Sequence, residues 1–197
     1  MRVKYCGNSC FVYRTNKTKL ITNPKDEGVK VNLKRVSPDI VVLSHKGDIQ
    51  KDKYYLITSP GEYEVKDIFV YGYLSDVNKE DVEQADIYMF DLEDIHLCII
   101  DKAVKKVRER VLDEIGIVNV LFISLAENAG MKLTKVSELV SKIEPQIIVP
   151  MDYTNKALKD FAKVLGVKEM EKVPSLDLEK TDFAEEEVPM RFVVMEK

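Results

Sequence analysis

The sequence predicts a single layered α/β domain in which helices cover sheet faces. Three observations predict it. The first hundred residues fall into short strand-like segments. Beyond residue 103, segments of helical period alternate with continuous apolar runs. The 197 residues contain no linker or repeat, and 45% are hydrophobic, enough for one core.

The strands follow in order. Cys6 and Gly7 separate Arg2 to Tyr5 from Ser9 to Tyr13, and Asn16-Lys17 reads as a hairpin turn before Lys19 to Thr22. Ile40 to Leu43 is continuously apolar, the pattern of a strand buried on both faces. Tyr54 to Ile57, Tyr63 to Val65 and Ile68 to Tyr73 continue the series, and Asp86 to Asp91 pairs with Ile95 to Ile100 across Leu92-Glu93-Asp94. The period then changes. Val104, Val107, Val111, Leu112 and Ile115 share one helical face, with Gly116 as the stop. Val118 to Ile123 and Ile147 to Val149 read as buried strands. Leu133, Val136, Leu139, Val140 and Ile143 mark a second helix, ended by Pro145. Leu158, Phe161, Ala162 and Leu165 mark a third, stopped by Gly166, and Met190 to Met195 is the last strand.

The net charge of -4 argues against a general nucleic-acid binder. Lys17, Lys19, Lys25 and Lys30 read as solvated surface, and Glu185 to Glu187 as a solvated turn. No run approaches the ~20 apolar residues of a membrane span. Met1 to Tyr5 lacks the features of a signal peptide, so the cytoplasm is the expected compartment. Three cysteines, Cys6, Cys10 and Cys98, suit a reducing compartment rather than a disulfide framework.

Four segments carry more: Gly7-Asn8-Ser9-Cys10-Phe11; Leu20-Ile21-Thr22-Asn23-Pro24; Asp39 to Asp48, which ends Leu43-Ser44-His45-Lys46-Gly47-Asp48; and Ser59-Pro60-Gly61-Glu62-Tyr63-Glu64-Val65, with Gly72 behind it. Their order and spacing resemble the metallo-β-lactamase superfamily, in particular its small bacterial branch similar to L-ascorbate-6-phosphate lactonase. There the segments read Gly-His-Ser-Cys/Ala-Phe, Thr-Asp-Pro, an apolar strand ending Ser/Thr-His-x-His-x-Asp-His, and Pro-Gly-Glu-Tyr-Glu. Downstream, Asp101 lies near the family's metal-bridging Asp, and Pro150-Met151-Asp152-Tyr153 resembles Pro-Met-His-Tyr. The resemblance spans nearly all of residues 1–197. It implies one αββα four-layer sandwich, with a metal site at one edge on loops that follow strands.

Against that pattern most ligands are missing. Zinc takes imidazole, thiolate and carboxylate ligands, and a pair of the family's type needs about four or five imidazoles. This chain has two histidines, His45 and His96. Gly47, Ile49 and Gln50 stand where the resemblance implies His, Asp and His. Asn8, Asn23 and Asp152 replace His, Asp and His, and Ile99 or Ile100 occupies the region of a further His. Lys46 adds positive charge beside His45. The survivors, His45, Asp48, Asp101 and Asp152, form a vestigial candidate metal set that would suit Mn²⁺, Mg²⁺ or one Zn²⁺. Each also has a structural reading: a hydrogen-bonded loop His45, a turn at Asp48, an Asp101 cap on a helix starting near Ala103, and an Asp152 cap or turn before a helix at Thr154. The cysteines read as small buried side chains, and no group is visibly paired with Cys10 to activate it. Glu62 and Glu64 share one strand face, in a segment the resemblance makes structural.

The expectation is a member of this superfamily inactive as a dinuclear zinc hydrolase, acting as a binding or scaffold protein. The alternative is a hydrolase with a carboxylate-rich site of His45, Asp48, Asp101 and Asp152. No cofactor is expected, with a weakly bound divalent metal as the alternative. A small molecule or a protein is the expected partner, not nucleic acid or membrane. Tyr54, Tyr55, Tyr71 and Tyr73 leave a homo-oligomer open.

Overall fold

The computed structural model describes residues 1–26, 28–45, 47, 49, 53–75, 84–102, 104–126, 131–184 and 189–196. Its elements begin with β1 (Arg2–Gly7), β2 (Cys10–Arg14), β3 (Lys19–Thr22), α1 (Leu33–Val36) and β4 (Ile40–Val42). Then come β5 (Tyr55–Ile57), β6 (Gly61–Val65), β7 (Ile68–Tyr73), β8 (Ile87–Leu92) and β9 (Ile95–Ile100). The second half adds α2 (Glu109–Ile115), β10 (Val120–Ser124), α3 (Leu133–Ile143), β11 (Ile147–Met151) and α4 (Asn155–Val164). It closes with β12 (Glu171–Val173), β13 (Leu176–Asp177), a 3-10 turn at Lys180–Phe183 and β14 (Arg191–Met195).

The strands form two sheets, ordered β13-β1-β2-β3-β4-β5 and β12-β14-β11-β10-β9-β8-β7-β6. Strand alternation decides what each face meets. Phe11, Tyr13, Leu20 and Ile40 of the first sheet pack against Tyr88, Phe90, Ile99 and Phe122 of the second, forming the inter-sheet core. Phe122 sits 4.8 Å from Phe11 and 5.6 Å from Tyr13 between ring centroids, both edge to face. The other face of the second sheet carries Cys98, Ile100, Leu121 and Ile148, covered by Val111, Val136, Leu139 and Phe161 from α2 to α4. The outer face of the first sheet, Cys10, Val12, Ile21 and Val41, is covered by Val29, Val31, Leu33 and Val36. The result is the αββα order implied by the resemblance. No helix among the described residues is long and apolar enough to cross a membrane.

Parallel pairing sets the position of the site. β3 and β4 run parallel in one sheet. β9, β10 and β11 run parallel in the other. Asn23, His45, Asp101 and Asp152 all lie just beyond the C-terminal ends of these strands, so the topology delivers them to one edge.

Three readings change. The first helix of the second half starts at Glu109 rather than near Ala103, with Arg108 as its N-cap residue. Asp101 therefore caps no helix; its carboxylate is engaged elsewhere, as shown below. Of the two readings of Asp152, the cap fails because Thr154 caps α4, accepting from the Ala157 amide at 3.1 Å. Asp152 instead takes the turn position, with φ of 52°. Cys6 is half-buried rather than buried. The hairpin between these strands is present, but Leu92 ends β8 and pairs with Ile95, so the turn is Glu93-Asp94 alone, at φ of 56° and 61° as a two-residue turn of right twist requires.

Gly72 on β7 faces a wall. A Cβ there would lie 2.8 Å from the Ser59 carbonyl oxygen and 2.9 Å from the Tyr88 ring. Gly72→Ala is expected to lose about 1–3 kcal/mol by overpacking, read as a lower denaturant midpoint. An unchanged midpoint would show that β7 and β8 can separate freely.

Candidate functional site

Two polar strand exits from each sheet meet at the edge of the sandwich. On the first sheet, Asn23 takes a left-handed conformation, φ of 42°, which Asn tolerates well. Its side-chain carbonyl accepts the Ser44 amide at 3.0 Å. Its amide nitrogen lies 2.8 Å from Ser44 Oγ, 3.0 Å from Ser9 Oγ and 3.4 Å from Asp101 Oδ2. Ser44 Oγ donates in turn to Asp101 Oδ2 in a short hydrogen bond, and Ser9 Oγ donates to Asp26 Oδ2 at 3.1 Å. Where the resemblance implies an Asp, Asn23 thus supplies donors to a buried carboxylate that another carboxylate would repel.

Two cations complete the cluster. His45 bridges two carboxylates, with Nδ1 3.0 Å from Asp101 Oδ2 and Nε2 3.3 Å from Asp26 Oδ1. The Lys102 ammonium donates to the same Asp26 Oδ1 at 2.8 Å. The carboxylates are deep: the side chains of Asp26 and Asp101 are 3% and 0% exposed. Asp152 lies at the rim, on the wall of a cavity of about 650 Å³ that Tyr5, Asn8, Lys102, Tyr153 and the start of α4 also line. Among the described residues, Asp101 Oδ1 and Asp152 Oδ2 are buried without a hydrogen-bond partner.

The electrostatics follow from this pairing. Burial raises the cost of ionising Asp26, but hydrogen bonds from His45 and Lys102 outweigh it and hold the carboxyl far below the usual range. Burial also disfavours the His45 imidazolium, yet Asp101 and Asp26 overcome this and lift its pKa to about 9. Lys102 is raised in the same way, with Asp26 outweighing burial. Asp152 moves up to about 6, first through burial and then through the charge of Asp101, with Lys102 pulling against them. At neutral pH His45 and Lys102 are both cationic, so the cluster carries its own positive charge.

Of the residues expected from sequence, His45 and Asp101 are in direct contact, and Asp152 faces the same cavity as Lys102. Asp48 lies outside the described residues, as do Lys46 and Gln50. His96 is not at this edge; it pairs with Asp91 on β8. Sequence reasoning missed Asp26, Lys102, Ser9 and Ser44. Asp26 follows the Asn23-Pro24 turn and Lys102 adjoins Asp101, the local signals that could have marked them.

Among the described residues, the donors at this edge do not suit a zinc pair. The single imidazole at the edge has both ring nitrogens engaged by carboxylates, and an ammonium occupies the Asp26 oxygen they share. Amides of Asn8 and Asn23 stand where stronger ligands would be needed. Among the described residues no group of three or more His, Cys, Asp or Glu is arranged to hold a metal ion.

Comparison with known proteins supports the architecture. Residues 2–152 match the family model of the beta-lactamase superfamily domain. No curated protein matches significantly. A Thermotoga maritima structure assigned to the Zn-dependent hydrolases of the metallo-beta-lactamase superfamily superimposes with a TM-score of 0.78 at 22% identity, covering 98% of this chain and 97% of that one. Igni18, a metallo hydrolase from the archaeon Ignicoccus hospitalis, gives a TM-score of 0.67 at 12% identity over 90% of this chain and 99% of its own. The isothiocyanate hydrolase from Delia radicum gut bacteria gives 0.61 at 13% identity, over 85% and 94%. At these identities the structures speak to the fold alone.

Proposed function

Because the chain belongs to the beta-lactamase superfamily, we propose that it is a member in which internal cations have taken over the charge role of the metal pair, and which binds or scaffolds rather than hydrolyses through zinc. One observation carries this reading: His45 and Lys102 already neutralise the buried carboxylates Asp26 and Asp101. A metal would have to displace a tethered ammonium and a proton held on His45 up to about pH 9. The order of motifs supports a place near the L-ascorbate-6-phosphate lactonase-like branch. The cavity over Lys102 and Asp152, about 650 Å³, is of a size that holds small ligands. We take the partner to be a small molecule or a protein in the cytoplasm, since the net charge of -4 disfavours nucleic acid.

Elemental analysis of purified protein, before and after incubation with zinc, tests this. Well under one equivalent of zinc, iron or manganese is expected, with no rise in melting temperature on adding zinc. Two tightly held equivalents would overturn it. A second reading, a carboxylate-rich site for one divalent ion, draws on the partnerless oxygens of Asp101 and Asp152. It predicts a single equivalent that is lost in Asp152→Asn.

A further inference from the structure

The hairpin that leads into the site holds two cysteines on the same outer face of the first sheet. Cys10 is buried and Cys6 half-buried, and both pack in one apolar cluster with Val12 and Ile21. The register between β1 and β2 is shifted: Tyr5 pairs with Phe11, but the next pair is Gly7 with Cys10. Cys6 is therefore the extra residue of a bulge, where two residues of one strand face one of the other. This places the Cys6 side chain beside that of Cys10, and the two thiols interact by a hydrogen bond. The Cα partner of Cys10 is Gly7, so Cys6 is its immediate neighbour across the ladder, and a disulfide between them calls for a Cα separation of roughly 4.4–6.8 Å.

We propose that Cys6 and Cys10 are an oxidation site that closes to a cross-strand disulfide when the protein meets a hydroperoxide. Cys6, the more accessible thiol, reacts first: its sulfur attacks one oxygen of the hydroperoxide, the O–O bond breaks, and the departing oxygen takes the Cys6 proton, leaving a sulfenic acid and, from hydrogen peroxide, water. The Cys10 sulfur then attacks the Cys6 sulfur, the S–O bond breaks, and the departing hydroxide takes the Cys10 proton as a second water. Two thiols lose two electrons and the peroxide gains them. The hydrogen bond with Cys6, burial and the nearby Asp26 charge all keep Cys10 in its thiol form, so it acts second. Ser9, whose hydroxyl holds Asp26 at 3.1 Å, immediately precedes Cys10, so the new bond would tie this hairpin to the charged cluster.

Peptide mapping of the full chain after hydrogen peroxide treatment tests the proposal. Trypsin cuts after Lys4 and Arg14, so one peptide, residues 5–14, carries both cysteines and Cys98 falls in another. The expected product is this peptide lighter by about 2 Da, the two lost hydrogens. Alkylated after denaturation, it should resist modification until a reductant restores both thiols, while buried Cys98 stays alkylatable throughout. Cys6→Ser and Cys10→Ser should each abolish the mass loss. Wild-type protein that instead accumulates Cys6 sulfinic acid, or Cys6-linked dimers with Cys10 still alkylatable, would overturn the assignment.

Discussion

His45→Ala is expected to lower folding stability by about 3–5 kcal/mol at pH 7, the usual cost of removing one partner from a buried ion pair. The variant leaves Asp101, 0% exposed, without its imidazole, and takes the His45 counter-charge from Asp26, 3% exposed, which keeps Lys102 and the Ser9 hydroxyl. The pH dependence gives a second signature. The folded pKa of His45 is raised to about 9, above the ordinary value of about 6.5. Its contribution is therefore fully present below about pH 6.5 and is lost as pH rises through about 9. The shift corresponds to about 3 kcal/mol. Asp26 acts on the acid side: its depressed pKa gives a contribution that is present above about pH 3.9 and is lost only as pH falls through the folded value. Denaturant unfolding of wild type should show stability falling between pH 7 and 9.5, and His45→Ala should lack that fall. A loss below about 1 kcal/mol, with the same pH slope as wild type, would mean that His45 is an ordinary surface residue.

Phe122→Ala is expected to cost about 3–5 kcal/mol for a different reason. Phe122 is 0% exposed at the centre of the inter-sheet core, and its edge-to-face contacts with Phe11 and Tyr13 join β10 of one sheet to β2 of the other. Truncation removes apolar burial and both aromatic contacts and leaves a cavity that two rigid sheets cannot close. Chemical denaturation should show a lower midpoint with the slope preserved. A change under about 1 kcal/mol would mean that the two sheets are not packed on this residue.

The fold was legible where periodicity was strong. The continuous apolar runs at Ile40, Val120 and Ile147 are central parallel strands, because both of their faces are covered. The weak elements were not legible: β12, Glu-Lys-Val, and β13, Leu-Asp, are edge strands of three and two residues whose charged side chains read as loop. The helix expected from Val104 failed because Val104 is buried and Val107 half-buried from an irregular segment over 104–107, which matches a helical face in spacing while the helix itself begins only at Glu109. The site was half legible. His45, Asp101 and Asp152 stood out because the resemblance assigns their positions. Asp26 and Lys102 did not, since an Asp and a Lys 76 residues apart look like solvated surface until β3 and β9 bring their ends together. The positive charge beside His45, expected from Lys46, is supplied among the described residues by Lys102. The neighbour of Cys10 was not legible because the bulge that places Cys6 beside it depends on strand register, which local sequence does not fix.

An NMR titration of the His45 imidazole distinguishes a side chain that is protonated at neutral pH and bridges two carboxylates from a metal ligand. The chain has two histidines, so a His96→Gln variant assigns the ring signals. A His45 midpoint of about 9 is expected, with both ring nitrogens protonated at pH 7 and unchanged by stoichiometric zinc. A midpoint at or below about 6.5, with a ring nitrogen that loses its proton when zinc is added, would contradict it.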